Sequence, residues 1–103
     1  MQMRKKQQIK KELENKEALI KCAAEFNMMS DPTRLKICYL LCRHQELSVS
    51  QIAEIVGVSV SAVSHTLAKL KQANLVQSRR RFRNVYYRIK PSPLIKFLQQ
   101  RLL

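Results

Sequence analysis

The chain has a single glycine, Gly57, in 103 residues, which leaves no raw material for a glycine-rich loop that cradles a phosphate. It has no acidic residue after Glu54. No paired-carboxylate site and no nucleophile with a nearby base can be read from it, so the sequence does not describe an enzyme and implies no cofactor. Three cysteines, Cys22, Cys38 and Cys42, are too few and too irregularly spaced for a secreted disulfide framework, and reduced thiols are the expectation. No apolar run approaches the roughly 18 residues of a membrane span, and the basic N-terminus has no hydrophobic stretch behind it. A cytoplasmic protein without a membrane partner is therefore expected. Internal repeats and low-complexity tracts are absent as well.

Positive charge is what the chain has in excess. It carries 20 Lys plus Arg against 7 Asp plus Glu, a formal net charge of +13. The distribution is one-sided: the acids Glu12, Glu14, Glu17, Glu25, Asp31, Glu46 and Glu54 all precede residue 55, and ten basic residues follow it. Solubility does not require that asymmetry, whereas a polyanionic partner does. The length fits one domain that buries only about 60 to 65% of its unfolded surface, so the core is small. A basic lead-in, 1–11, expected to be frayed, precedes a single domain over 12–103.

Hydrophobic spacing and capping residues lay out the elements. Between Glu12 and Met29 the apolar positions cover most of a helix surface, leaving Glu17, Lys21 and Glu25 as a polar stripe. The last segment repeats this, with Ser92 as cap, Pro93 in the first turn, then Leu94, Ile95, Phe97, Leu98, Leu102 and Leu103. Helices that apolar need covering, and a homodimer through the first and last helices is the inference. Asp31-Pro32 starts a further helix to about His44, and Ser48 with Gln51 matches a capping box for a helix to about Val56. Gly57 supplies a turn, and Ser59 caps a helix whose Val63, Leu67 and Leu70 point inward. Two β-like runs follow, Leu75 to Ser78 and Val85 to Ile89, joined by a basic hairpin. The expected architecture is mainly α with a small β-hairpin, a winged helix-turn-helix.

That order makes DNA the leading partner. A recognition helix needs short polar side chains, because bulky ones hold the backbone out of the major groove. Ser59, Ser61, Ala62, Ser64, His65, Thr66 and Lys69 meet that need and are the candidate contacts on the helix. Arg79, Arg80, Arg81 and Arg83 crowd four guanidinium groups at the hairpin, suited to phosphate or a narrow minor groove. The alternative is a winged-helix module that grips nucleic acid nonspecifically through charge or docks on a protein.

The residues Asp31-Pro32-Thr33-Arg34-Leu35-Lys36-Ile37, Glu46 to Ala53, Val58 to Leu67 and Val85-Tyr86-Tyr87-Arg88-Ile89 together resemble the ArsR/SmtB family of winged-helix repressors. The resemblance runs from about Lys16 to Leu98. It implies a cytosolic homodimer that represses from an operator palindrome until an effector weakens it, with Ser61, Ser64 and His65 facing the groove. Departures stand beside it. Where thiol-type sensors of that family carry Cys-x-Cys, this chain has Ser48-Val49-Ser50, and hydroxyls are poor ligands for soft metals. Pro91 to Leu103 lacks the Asp and His of the family's other metal site. Phe82 stands where relatives often have a wing glycine, which makes Asn84 the expected left-handed turn residue. Cys22, Cys38 and Cys42 fall at apolar positions, which points to packing; a soft-metal or redox switch is the alternative reading.

Overall fold

A computed structural model describes residues 3–14 and 17–103. In chain order the elements are α1 (Met3–Glu14), α2 (Glu17–Met29), α3 (Pro32–Arg43), β1 (Leu47–Ser48), α4 (Val49–Val56), α5 (Val60–Gln72), β2 (Val76–Arg81), β3 (Asn84–Ile89) and α6 (Pro93–Leu102). Lys16, where the family resemblance begins, lies outside the described residues.

The helix starts follow from local hydrogen bonding. Asp31 accepts from the Arg34 N–H at 3.0 Å, Ser59 from Ala62 at 3.0 Å and Ser92 from Ile95 at 3.1 Å. Ser48 and Gln51 make the reciprocal capping box, with the Ser48 N–H donating to Gln51 Oε1 and the Gln51 N–H to Ser48 Oγ. Each cap is worth about 1 kcal/mol. Two left-handed residues stop the two helices of the helix-turn-helix. Gly57, at φ +80, ends α4, and Asn74, at φ +60, ends α5. After Asn74 the Leu75 N–H reaches back to Leu70 O and the Asn74 N–H to Lys71 O, the paired bonds of a Schellman stop. Leu70 and Leu75 are both buried, so the stop also turns the chain into β2 against the core.

The three-stranded sheet has the order β1-β3-β2, antiparallel throughout. Its third strand was not expected from the sequence: Leu47 pairs with Tyr87 and Ser48 with Tyr86. The hairpin register sets Arg81 opposite Asn84, leaving Phe82 and Arg83 as a two-residue loop. The left-handed residue there is Phe82, at φ +58, not Asn84. Asn84 is held in the closing pair of the ladder, so the loop's turn falls on the residue before Arg83. A β-carbon at such a φ costs about 1 to 2 kcal/mol that glycine does not incur.

The core gathers Ile37, Cys38 and Leu41 of α3 with Ile52 of α4, the α5 stripe Val63, Leu67 and Leu70, and Leu94, Ile95 and Leu98 of α6. The lead-in read as frayed is helical: α1 begins at Met3 and passes the expected boundary at Lys11 without a break. Its Arg, Lys, Gln and Glu residues are good helix formers, but none of it is buried. In α2 only Met29 is buried, while Leu19, Ile20 and Phe26 are exposed. The Cα radius of gyration is 17.8 Å and the extents are 63 × 25 × 22 Å, against about 13 Å for the radius of a compact chain of this length. The first two helices thus project from the core with apolar surface uncovered. An edge-to-face pair, Phe26 with Phe97, centroids 6.5 Å apart, links them to the end of the chain.

Candidate nucleic-acid interface

Val63, Leu67 and Leu70 fix the roll of α5, because burying that stripe turns the opposite side to solvent. Ser61, Ala62, Ser64, His65 and Lys69 are exposed as the spacing requires. Ser59 is exposed too, although its hydroxyl oxygen already accepts from Ala62 and keeps only its proton for a partner. Thr66 is half-buried, because it lies beside the inward stripe, and it is the one helix candidate not fully on the surface. Ala68 and Gln72, one and two turns beyond Ser64 on the same outward side, are exposed as well and were missed by the sequence reading. The signal was available in the period of the stripe.

The wing stands along one side of this helix. Val60 and Ser64 of α5, Ser48 to Ser50 at the start of α4, and Arg83, Asn84 and Val85 of the hairpin enclose a cleft of about 180 Å³. Lys71, also absent from the sequence candidates, donates from Nζ to Ser78 Oγ at 2.8 Å and ties the end of α5 to β2. Helix α5 and the hairpin are therefore one surface, with hydroxyls between them.

The four arginines are not equivalent. Arg79 Nε and Nη2 donate to Glu46 Oε1 at 3.2 and 3.1 Å, and Nε lies 3.1 Å from Glu46 Oε2. That fork clamps β2 to the turn before β1, so Arg79 braces the hairpin. Arg80, Arg81 and Arg83 are exposed, and among the described residues the ion pairs are only Asp31 with Arg34 and Glu46 with Arg79. Three guanidinium groups at the hairpin tip are thus left without an acid. Register puts Arg80 opposite Val85 and Arg81 opposite Asn84, so strand alternation sends the two to opposite faces of the hairpin.

The thiols do not form a comparable site. Among the described residues no group of three or more His, Cys, Asp or Glu is placed to hold a metal ion, so Cys22, Cys38 and Cys42 are not brought together. Cys22 is exposed, Cys42 half-buried and Cys38 buried. Burial, and next to it Cys42 one turn away, pushes the Cys38 thiol up to about 12, and burial raises Cys42 as well. A thiol so protonated is a poor nucleophile and a poor metal ligand at neutral pH. The raised value has a consequence for stability. From the ordinary 9.0 up to about 12 the unfolded chain releases a proton that the native chain keeps, so this contribution is complete below pH 9 and declines as pH rises. Urea unfolding is expected to show a loss of about 1.4 kcal/mol per pH unit from this residue above pH 9, absent in Cys38→Ala. Equal slopes in the two proteins would contradict it.

A family model described as bacterial regulatory protein, arsR family, matches residues 31–78. NolR from Sinorhizobium fredii, whose crystal structure is known, is 34% identical and superimposes with a TM-score of 0.75 over 86% of this chain and 87% of that one. The chain belongs to the arsR family. Relatives it matches are named as transcriptional regulators and repressors. The cadmium resistance transcriptional regulatory protein CadC of Listeria innocua is 38% identical over 74 residues, which cover 72% of this chain and 62% of CadC. The arsR-family chain therefore spans somewhat less than two thirds of that regulator's length. A homodimeric winged helix-turn-helix DNA-binding domain from Mycobacterium bovis, solved in solution, is 29% identical with a TM-score of 0.71, over 81% of this chain and 76% of that one. The winged helix of the arsR family is thereby the fold of this chain.

Proposed function

We propose that this arsR-family chain is a transcriptional repressor that binds a palindromic operator as a homodimer. The observation that carries the reading is the continuous surface made by the short polar face of α5 and the acid-free arginines of the wing. Ser61, Ser64 and His65 read base edges in the major groove, with Ser59, Ala62, Thr66, Lys69 and Gln72 beside them. Arg80, Arg81 and Arg83 hold the flanking phosphates, and Arg79 keeps the hairpin in place. The second protomer covers Leu19, Ile20 and Phe97, which each protomer leaves exposed. Pairing spaces the two recognition helices about one DNA turn, 34 to 36 Å, apart. The M. bovis domain, described as homodimeric and DNA-binding, supports both parts of the proposal.

Among the described residues no helix is long and apolar enough to cross a membrane, which suits a protein working on DNA in the cytoplasm. CadC is named for cadmium resistance, yet among the described residues the three thiols are not gathered into one group, and Ser48 is buried with its hydroxyl capping α4. A soft-metal or redox effector acting through Cys22, Cys38 and Cys42 has no support from their placement.

Selection of bound duplexes from random sequence tests the reading. A single inverted repeat, preferred over random DNA by about a thousandfold or more at physiological salt, is the expected result. Binding without preference would instead identify a charge-driven nucleic-acid module, and no binding would remove DNA as the partner.

A further inference from the structure

The wing ends on an aromatic ring with nothing around it. Phe82 is 92% exposed, the highest of the large apolar side chains at the surface among the described residues. It also occupies a left-handed backbone position, φ +58, that glycine would take without strain. Folding gains nothing from either feature: the ring buries almost no surface, and its β-carbon strains the turn. Both features act together at the point of the molecule farthest along the hairpin, between Arg81 and Arg83, with Arg80 one residue earlier. A second copy of the chain is a poor cover for this ring, because the same arginines would face one another. An anion with a flat apolar interior fits instead, and stacked bases behind a phosphate rail have that chemistry.

We propose that Phe82 is a wedge: as the wing arginines grip the phosphates beside the operator, the ring enters the minor groove and partly unstacks one base step on each side. This rests on the DNA-binding reading above and adds to it a bend in the DNA and a sequence preference that no hydrogen bond supplies. Apolar side chains inserted from the minor groove kink duplexes by about 20 to 90°. Such a kink costs least at pyrimidine–purine steps. The flanks of the operator are therefore read through their flexibility, at TA or CA/TG steps, while α5 reads the half-sites. The two-residue loop is short and its ladder closes on Arg81 and Asn84, so the ring is held at the tip rather than tethered loosely.

The experiment compares wild type with Phe82→Gly, Phe82→Ala and Phe82→Leu on the selected operator. DNA bending is read by energy transfer between dyes at the duplex ends and unstacking by 2-aminopurine placed through the flanks. Phe82→Gly relieves the turn, so its melting temperature is expected to equal or exceed wild type, which separates loss of the wedge from loss of the fold. The expected results are a bend of tens of degrees with wild type, at least halved with Phe82→Gly and Phe82→Ala, and largely kept with Phe82→Leu. Repeating the selection with Phe82→Gly is expected to return the same half-sites without the flanking-step preference. An unchanged bend and unchanged flanks with Phe82→Gly would overturn the wedge while leaving the repressor reading intact. Wild type that binds no duplex would overturn both. If Phe82→Gly left DNA bending alone but abolished adsorption to phosphatidylglycerol vesicles, the ring would serve a lipid surface and the wedge would fail.

Discussion

Ile20→Glu is expected to split the homodimer into single protomers and to lower operator affinity by about 10²- to 10⁴-fold. Ile20 lies on α2 and is 71% exposed, so an isolated protomer loses little when it changes. In the proposed dimer the same position is covered by the partner. Two-fold symmetry then places one new carboxylate from each protomer in the seam, where each must shed water without gaining a cation. The size of the affinity loss comes from linkage. In a dimer, binding of one recognition helix holds the second over its half-site at an effective concentration near the millimolar range, and that factor disappears when the protomers separate. Sedimentation velocity gives the assembly state and a gel-shift titration the affinity. Lys21→Gln, which removes a unit of charge from the polar stripe of the same helix, is expected to change neither. An Ile20→Glu protein that still dimerises and binds as before would move the pairing surface off α2.

What the sequence made legible was local. Asp31, Ser48 with Gln51, Ser59 and Ser92 each bond within three residues of themselves, and all four caps appear in the structure where the residues suggested them. The α5 stripe was equally readable, since a helical period is visible in a window of ten residues. The features that escaped depend on distance or register. β1 is two residues long and exists because Leu47 and Ser48 meet Tyr87 and Tyr86 across the chain. Arg79 differs from its neighbours only through Glu46, a residue 33 positions earlier. The turn residue was assigned to Asn84 on conformational preference, and the ladder overrode it by pairing Asn84 with Arg81. At the amino end Met3–Glu14 has no buried residue, and its helix reflects side-chain propensity without packing.

The unpaired wing charges yield the other large effect. Changing Arg80, Arg81 and Arg83 together to glutamine is expected to reduce the slope of log affinity against log salt by about five units for a dimer, from six phosphate contacts at about 0.9 each. Glutamine keeps a polar, extended side chain, so the hairpin retains its shape while its charge is gone. Arg79→Gln provides the contrast. Its guanidinium is engaged by Glu46, so the salt slope should move by less than one unit per protomer, while the protein loses no more than about 1 kcal/mol of stability for a pair this exposed. The two variants therefore differ in what they disturb: one removes counterion release, the other loosens the brace that aims the hairpin. Affinity measured between 50 and 200 mM salt separates them, since a loosened hairpin weakens binding with a near-parallel line and lost phosphate contacts flatten it. A triple variant with the wild-type slope would place the phosphate contacts elsewhere and end the assignment of this hairpin as a DNA-gripping wing.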